Sequence, residues 1–339
     1  MSNTLASLGW DAGFAYSYRR FDRIDCQPGR VARVDRGVCT VLTESGVVRA
    51  SVAGSLLTAA AADPTALPCA GDWAVVRTWP GRRITLELVL PRRTAVVRNS
   101  AARDSYGQVL AANLDLAAVV EPLDPSPDSG RVERLLALAH ESGAEPLLIL
   151  TKSDLVADPI GIADQLSEAA PGVPAYPVSA TTGAGMAALR RRIAAGGTVA
   201  LLGPSGGGKS TLVNALAGAT VMATRGPRAD RKGRHTTTHR SLIPLPGRGA
   251  ILDTPGLRSV GLFDTGSGLD QAFADIEALA TGCRFANCAH LAEPDCAVRD
   301  AVAAGELAER RLTSWRKLQR EHELERRRRQ RRQTAERRR

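Results

Sequence analysis

The feature that most constrains the fold of this chain is a glycine-rich turn between a strand-like and a helix-like segment. The apolar run TVALL leads into Gly203-Pro-Ser-Gly-Gly-Gly-Lys-Ser210, and the helix-forming run KSTLVNALAG follows. In the pattern G-x-x-x-x-G-K-[ST], backbone N–H groups wrap phosphate groups and the helix N-terminus adds positive potential. The alternative, a glycine-rich turn that binds nothing, requires four glycines and Lys-Ser to coincide by chance. The pattern therefore predicts an α/β domain with a phosphate site.

A second motif belongs with this turn. Asp253-Thr-Pro-Gly256 follows the apolar run AIL, so Asp253 is expected at a strand end, where it holds Mg²⁺ through water while the N–H of Gly256 faces a γ-phosphate. A lone DxxG is usually only a turn, but its pairing with the phosphate turn favours the magnesium interpretation. Lys209 is expected to reach the β- and γ-phosphates, and Ser210 and Asp253 to ligate Mg²⁺. The residues assigned to the phosphates are Gly203, Pro204, Ser205, Gly206, Gly207, Gly208, Lys209, Ser210, Thr211, Asp253 and Gly256.

Two more strand ends carry a pattern that suits a guanine base. PLLIL is followed by TKSD, and VPAYPV is followed by Ser-Ala. Asp154 can accept hydrogen bonds from N1–H and the 2-amino group of guanine, the stem of Lys152 can cover the base, and the N–H of Ala180 can meet O6. TKSD alone is most often a surface turn; its combination with Ser-Ala and the phosphate turn favours base recognition. The residues assigned to the base are Thr151, Lys152, Ser153, Asp154, Ser179 and Ala180.

The rest of the chain divides into regions of different pattern. Short β-like runs separated by Gly, Pro and Asp span residues 29–90 and predict a small barrel of OB type, although an SH3-like barrel gives similar runs. From residue 114, apolar strands alternate with helices, which indicates a parallel sheet covered on both faces. At 339 residues, two or three domains are expected, so the fold class is multidomain α/β.

A cysteine and histidine cluster follows the α/β region. Cys283, Cys288, His290 and Cys296 supply three thiolates and one imidazole, a full tetrahedral set for Zn²⁺. Because all four positions are filled by protein, such a site is structural rather than catalytic. The alternative is buried thiols beside a surface histidine. The cysteines at positions 26, 39 and 69 have no metal-like spacing and are expected to be small core residues.

Positive charge is concentrated at the C-terminus. The net charge is +10, and residues 305–339 hold fourteen Lys/Arg against six Glu. A mixed-charge run is usually a solvated helix face, but so dense an arginine cluster also suits the phosphates of RNA. We expect RNA contact by this tail, which is expected to be disordered when free. In the barrel, Trp73 and Trp79 can both stack bases, although core packing is favoured for Trp73. Trp315 is expected to anchor a helix rather than to stack a base.

The base-reading motifs precede the phosphate turn, which inverts the usual GTPase order; such circular permutation is tolerated because domain termini often lie close together. With GRHTTTHR at 233–240 and the cysteine cluster, this order resembles the ribosome small subunit-dependent GTPase A (RsgA, YjeQ) family over almost the whole chain. The resemblance implies an N-terminal OB-fold, a circularly permuted GTPase domain and a C-terminal zinc-binding helical domain. It also implies late 30S maturation with ribosome-stimulated hydrolysis that times release, 16S rRNA, GTP and GDP as partners, one structural Zn²⁺, and Mg²⁺ with GTP.

The resemblance also bears on catalysis. A threonine of switch I completes the Mg²⁺ shell in this family, and the pattern leaves Thr236, Thr237 and Thr238 as equal candidates. Leu257 stands where many GTPases have a water-positioning Gln, so by resemblance His235 is the catalytic candidate beside Lys209; the alternative for His235 is a solvent-facing loop residue. Thr151 replaces the usual Asn, so the side-chain amide that normally ties this loop to the phosphate turn is missing, and we expect guanine affinity to be modest.

These inferences give a domain plan, one favoured function and two alternatives to it. The expected regions are an N-terminal extension 1–28, an OB-fold barrel 29–95, a circularly permuted GTPase domain 96–265, a zinc-binding helical domain 266–325 and an Arg-rich tail 326–339. With no long apolar run or secretory leader, a cytoplasmic protein without membrane contact is expected. A monomer is expected as well. The alternatives to a ribosome-coupled GTPase are a non-catalytic RNA-binding assembly factor that uses GTP as a clamp, and a P-loop kinase or ATPase, which Asp154 with Ser179-Ala180 disfavours.

Overall fold

A computed structural model describes residues 5–99, 107–222, 241–247, 249–253 and 266–336. The strands within these ranges are β1 (Cys26–Asp35), β2 (Val38–Thr43), β3 (Gly46–Val52), β4 (Trp73–Thr78), β5 (Ile84–Val89), β6 (Ala95–Asn99), β7 (Gly107–Ala112), β8 (Leu116–Pro122), β9 (Glu145–Thr151), β10 (Ala175–Pro177), β11 (Thr198–Leu202), β12 (Ser241–Pro244) and β13 (Ala250–Asp253). The α-helices are α1 (Ala12–Tyr18), α2 (Gly54–Ala62), α3 (Ser129–Glu141), α4 (Pro159–Ser167), α5 (Met186–Gly196), α6 (Lys209–Ala217), α7 (Gly266–Ala272), α8 (Ala274–Ala280), α9 (Ala297–Ala303) and α10 (Glu309–Glu336).

The first five strands close into a barrel. They pair in the order β1-β2-β3-β5-β4, β4 returns to β1, β3 runs parallel to β5, and α2 lies between β3 and β4. In β2 the burial alternates residue by residue, so that Cys39 and Val41 enter the barrel core with Val31 and Leu86. The predicted OB-like barrel is confirmed.

Residues before the barrel pack against it, although the sequence shows no periodicity there. Asp11 caps α1 by accepting hydrogen bonds from the N–H groups of Gly13 and Phe14. Leu8 and Phe14 share a buried cluster with Trp73, which is fully buried as predicted. The short helix is therefore held by its cap and by aromatic packing.

The nucleotide-type domain is a sheet in the order β10-β9-β8-β11-β13-β12, parallel except for β12. Apolar side chains of α3 and α4 pack on one face of it, and those of α5 and α6 pack on the other. This confirms the parallel sheet covered on both faces. The separate β6–β7 pair was not predicted.

The barrel and this sheet are continuous. β1 pairs with β12 at Arg33 and Ser241, so eleven strands form one sheet within the described residues. The fully buried Arg30 reinforces the junction by donating to the carbonyl oxygens of Gly71 (3.3 Å), Asn113 (2.8 Å) and Leu8. The barrel is thus joined to β12, the strand that pairs with β13, and β13 ends at Asp253.

The C-terminal region is helical, and its last helix, α10, docks it onto α3. Arg311 is buried and donates to Glu133 of α3 (3.1 Å), to Asp275 of α8 (2.5 Å from Nε) and to the Ala272 carbonyl (2.8 Å). Trp315 packs partly buried against the same core, as the anchor role predicts. None of the helices in the described ranges is both long and apolar enough to cross a bilayer.

The expectation of a disordered tail is wrong for residues 326–336, which continue α10. Arg, Glu and Gln favour helix, and ion pairs one turn apart support it: Glu323 with Arg326 (3.0 Å) and Arg327 (2.9 Å), and Glu325 with Arg328. Helix-favouring composition and these ion pairs therefore support the continuation of α10 beyond residue 325.

Candidate nucleotide site and metal centre

The motifs converge because the sheet is parallel. β8, β9, β10, β11 and β13 end at one edge, and the register places Thr151 beside Pro122 and Asp253 beside Leu201. The residues assigned to the phosphates and those assigned to the base therefore lie on neighbouring strand ends, in spite of the inverted order along the chain.

The glycine-rich turn has the backbone that its glycines permit. Gly206 and Gly208 have φ values of 80° and 81°, and a Cβ on Gly203 would lie 2.3 Å from the Val120 carbonyl oxygen. Lys209 begins α6, is 9% exposed, and its Nζ donates to the carbonyls of Gly203 (2.8 Å) and Pro204 (2.7 Å). These contacts hold the ammonium group at the opening of the turn, where it can donate hydrogen bonds to phosphate oxygens.

Asp253 is the last residue of β13 and is only 3% exposed. Burial raises the pKa of its carboxyl group, while the nearby charge of Lys209 opposes that rise. A buried carboxylate beside the turn, with the Ser210 hydroxyl in the first turn of α6, is a donor set of oxygens that suits Mg²⁺.

Thr151 connects the two halves of the site. Its hydroxyl donates to the Gly207 carbonyl over 2.8 Å, and the side chain is 4% exposed. The amide is missing as expected, but the threonine hydroxyl reaches the carbonyl in its place and ties the two loops together.

The base-reading loops are fixed by their own backbones. Lys152 has a left-handed φ of 61° and its Nζ donates to the Asp124 carbonyl at 2.7 Å, while Asp154 is exposed. Ser153 N–H donates to the Val178 carbonyl at 3.2 Å, which links the loop after β9 to the loop after β10. This leaves the Asp154 carboxylate accessible at the same edge.

The second base-reading loop folds around Ser179. The fully buried Ser179 accepts at Oγ from the N–H of Thr182 (3.0 Å) and donates its own N–H to the Ala184 carbonyl (2.9 Å), while the adjoining Ala180 is partly exposed.

Five further predicted site residues lie outside the described residues: His235, Thr236, Thr237, Thr238 and Gly256.

The cysteine and histidine cluster is compact. The ligand atoms of Cys283, Cys288, His290 and Cys296 all lie within 4.8 Å of one another. Cys283 Sγ is 3.9 Å from Cys296 Sγ, and His290 Nδ1 is 3.3 Å from Cys296 Sγ. Tetrahedral Zn²⁺ with Zn–S bonds of about 2.3 Å places its sulfurs roughly 3.8 Å apart. The donor set and its spacing fit a metal ion of this kind.

Supporting contacts of this cluster were missed by the sequence analysis. The Trp315 ring of α10 lies 5.2 Å from the His290 ring, Arg316 donates to the His290 carbonyl, and Trp315 Nε1 donates to Glu277 at 3.2 Å. Hydrogen bonds from backbone N–H groups, its own and that of Ala289 foremost, lower the pKa of Glu293 to about 2. No spacing signal relates a tryptophan on α10 to this loop, since only the docking of α10 brings them together.

Comparison with known proteins extends this geometry. A model of the RsgA GTPase family matches residues 89–263. The small ribosomal subunit biogenesis GTPase RsgA of Streptomyces coelicolor is 50% identical over 325 residues, covering 95% of this chain and 87% of the relative, and its namesake from Opitutus terrae is 43% identical, covering 94% and 89%.

Solved structures give the same fold. YjeQ from Thermotoga maritima superposes with a TM-score of 0.63 at 24% identity, covering 88% of this chain and 98% of that one. YloQ, described as a circularly permuted GTPase, gives 0.62 at 25% identity, covering 89% and 96%. The fold of this chain is therefore similar to that of a circularly permuted GTPase.

Proposed function

Because the chain belongs to the RsgA GTPase family and is a GTP-hydrolysing enzyme, we propose that it acts in late maturation of the small ribosomal subunit, where 30S-stimulated hydrolysis times its release. The observation that carries this proposal is the 50% identity over 95% of the chain to a relative named for small-subunit biogenesis. The convergence of phosphate and base motifs at one sheet edge supports the nucleotide part independently of any name.

We assign the nucleotide contacts residue by residue. The turn from Gly203 to Ser210, with Thr211, surrounds the phosphates, and Lys209 supplies positive charge at the β- and γ-phosphates. The exposed Asp154 accepts the two guanine N–H donors, Lys152 covers the base, and the Ala180 N–H meets O6. Thr151, Ser153 and Ser179 hold these loops, as their hydrogen bonds indicate.

Hydrolysis needs a metal and a positioned water. Mg²⁺ bound by Ser210 and Asp253 would neutralise charge on the phosphate oxygens. We assign one of Thr236, Thr237 and Thr238 to the same ion, Gly256 to the γ-phosphate, and His235 to orienting the attacking water. With Leu257 in place of a glutamine, slow intrinsic turnover is expected.

We assign one structural Zn²⁺ to Cys283, Cys288, His290 and Cys296. Three thiolates and a histidine nitrogen leave no position for water, which favours a folding role. The contacts of Trp315 and Arg316 with His290 support that role, because they couple the cluster to the docked α10.

We propose that 16S rRNA is contacted by the arginine-rich end of α10. Arg326, Arg327 and Arg328 are 60–66% exposed along their side chains, and their two glutamate partners cannot neutralise them all.

We propose the domain limits 29–95, 96–265, 266–325 and 326–339 after the extension 1–28. We also propose that the protein is a cytoplasmic monomer.

Co-sedimentation tests the partner. With a non-hydrolysable GTP analogue the chain is expected to pellet with 30S subunits and not with 50S subunits, and with GDP the bound fraction should fall. Lys209→Ala serves as the matched control, since it removes the phosphate contact and leaves the surfaces of the barrel and α10 unchanged. Equal binding to 30S and 50S subunits would contradict the proposed partner.

A further inference from the structure

Trp79 differs from the other tryptophans in its surroundings. Trp73 is buried under the N-terminal segment, Trp10 packs against the same cluster, and Trp315 packs against the main core. Trp79 belongs to none of the apolar clusters formed by the described residues, and its side chain is partly exposed. The large ring of Trp79 therefore takes no part in core packing among the described residues.

The backbone places Trp79 at the tip of the hairpin between β4 and β5. Its N–H donates to the Arg83 carbonyl at 2.8 Å, and the Arg82 N–H donates to the Trp79 carbonyl at 3.2 Å. Gly81 and Arg82 have φ values of 81° and 65°, so the turn is tight. Trp79, Arg82 and Arg83 are thereby held together at the end of the barrel.

The ring is also fixed in orientation. Trp79 Nε1 donates to Thr85 Oγ1 at 2.7 Å, and Thr85 in turn contacts Glu87. The guanidinium carbon of Arg77 lies 3.7 Å from the ring centroid, and Arg77 Nε pairs with Asp25 at 2.6 Å. An aromatic ring held in place by two contacts loses little entropy when a ligand stacks on it.

The charge at this tip is positive. Arg82 and Arg83 are exposed, and neither takes part in an ion pair within the described ranges. Of the two carboxylates that contact this hairpin, Asp25 pairs with Arg77, and Glu87 keeps its charge while accepting a hydrogen bond from Thr85; neither forms an ion pair with Arg82 or Arg83. A flat ring beside two free cations suits a base with its flanking phosphates.

We propose that Trp79, backed by Arg77 and flanked by Arg82 and Arg83, is a stacking platform for an unpaired RNA base. This inference rests on the proposed function, which makes an RNA particle the partner. The ligand is single-stranded because a base inside a duplex is already stacked on both faces and offers none to the ring. The arginines neutralise phosphates without distinguishing single strands from duplexes.

Binding of two RNA probes to the full-length chain tests the platform. The probes are a fluorescein-labelled 12-nucleotide pyrimidine strand that cannot self-pair and a labelled 12-base-pair duplex, followed by anisotropy at fixed salt. Trp79→Leu is expected to weaken single-strand binding roughly 5- to 100-fold, in line with one lost base stack, and duplex binding less than twofold. Trp79→Phe should retain most of the single-strand affinity.

The controls separate stacking from charge and from misfolding. Arg82→Ala with Arg83→Ala should weaken both probes and flatten the salt dependence. Circular dichroism melts of every variant should match the parent. Unchanged single-strand affinity in Trp79→Leu, or an equal loss for both probes, would overturn the platform while leaving 30S co-sedimentation by the parent intact. Failure of the parent chain to pellet with 30S would instead contradict the proposed function.

Discussion

The hydroxyl of Thr151 donates to the carbonyl of Gly207 over 2.8 Å and so joins the base-reading loop to the phosphate turn. The same side chain bounds the space beside Gly208, where a Cβ would lie 3.1 Å from the Thr151 Oγ1. A substitution at position 151 is therefore expected to alter the phosphate turn as well as the base-reading loop.

Thr151→Val should accelerate GDP release roughly 5- to 30-fold, because losing a buried hydrogen bond costs on the order of 1–2 kcal/mol. Preference for guanine over adenine should persist, since Asp154 is intact. Stopped-flow release of a fluorescent GDP analogue measures the rate. Thr151→Ser keeps the hydroxyl and should restore slow release; equal rates in the Val and Ser variants would contradict the tie.

This contact illustrates where sequence reasoning stops. The TKSD and GPSGGGKS motifs could be recognised by residue type and by the strand endings before them. Whether a threonine replaces the role of an asparagine depends on where Gly207 lies in space, which no spacing encodes. The substitution alone suggested a lost contact, and only the fold revealed its replacement.

Arg311→Met should destabilise docking of α10 strongly. Arg311 is 2% exposed, and its removal leaves Asp275 without its guanidinium partner and the fully buried Glu133 with only the half-exposed Arg310. Breaking a buried ion pair costs about 3–5 kcal/mol. Scanning calorimetry should record a clear fall in unfolding temperature for this variant.

Arg310→Met is the matched control. Arg310 also pairs with Glu133, at 2.9 Å, but its side chain is 45% exposed. Loss of such a pair should cost less than about 1 kcal/mol. Equal shifts in the two variants would show that burial of Arg311 is not what stabilises the C-terminal region.

Metal removal should loosen the C-terminal region. The purified chain is expected to carry one zinc per molecule by mass spectrometry of the metal, and a chelator should expose Trp315, whose ring faces His290 at 5.2 Å. Cys288→Ser should lower the zinc content, and Cys26→Ser should not, because Cys26 lies outside the cluster. Full zinc content in Cys288→Ser would contradict the assignment.

The contact between α3 and α10 should depend on pH. The hydrogen bond from Arg134 to Glu321 lowers the pKa of that carboxyl group, so its stabilising effect is present at neutral pH and is lost as pH falls through the lowered value. The free energy of unfolding of Glu321→Gln should be lower than that of the parent at pH 7, by less than about 1 kcal/mol. This difference should narrow at pH 4. A gap that stays constant from pH 7 to pH 4 would contradict this.

The alternation of strands and helices from residue 114 onward, the barrel type and the cysteine cluster were all predictable from the sequence, because periodicity, turn residues and ligand types are local. The junction of barrel and sheet was not. Pairing of β1 with β12 brings Arg33 beside Ser241 across some two hundred residues of chain, and Arg30 joins three separate carbonyls. Such contacts follow from the packing of whole elements.

The most direct test of the central claim is GTP turnover by the purified chain with and without 30S subunits, with 50S subunits as the comparison. The account predicts slow turnover alone and strong stimulation by 30S only, lost in Lys209→Ala, whose ammonium group is replaced at the mouth of the turn. Turnover that 30S subunits leave unchanged, with binding to them intact, would contradict ribosome-coupled hydrolysis and favour an RNA-binding clamp.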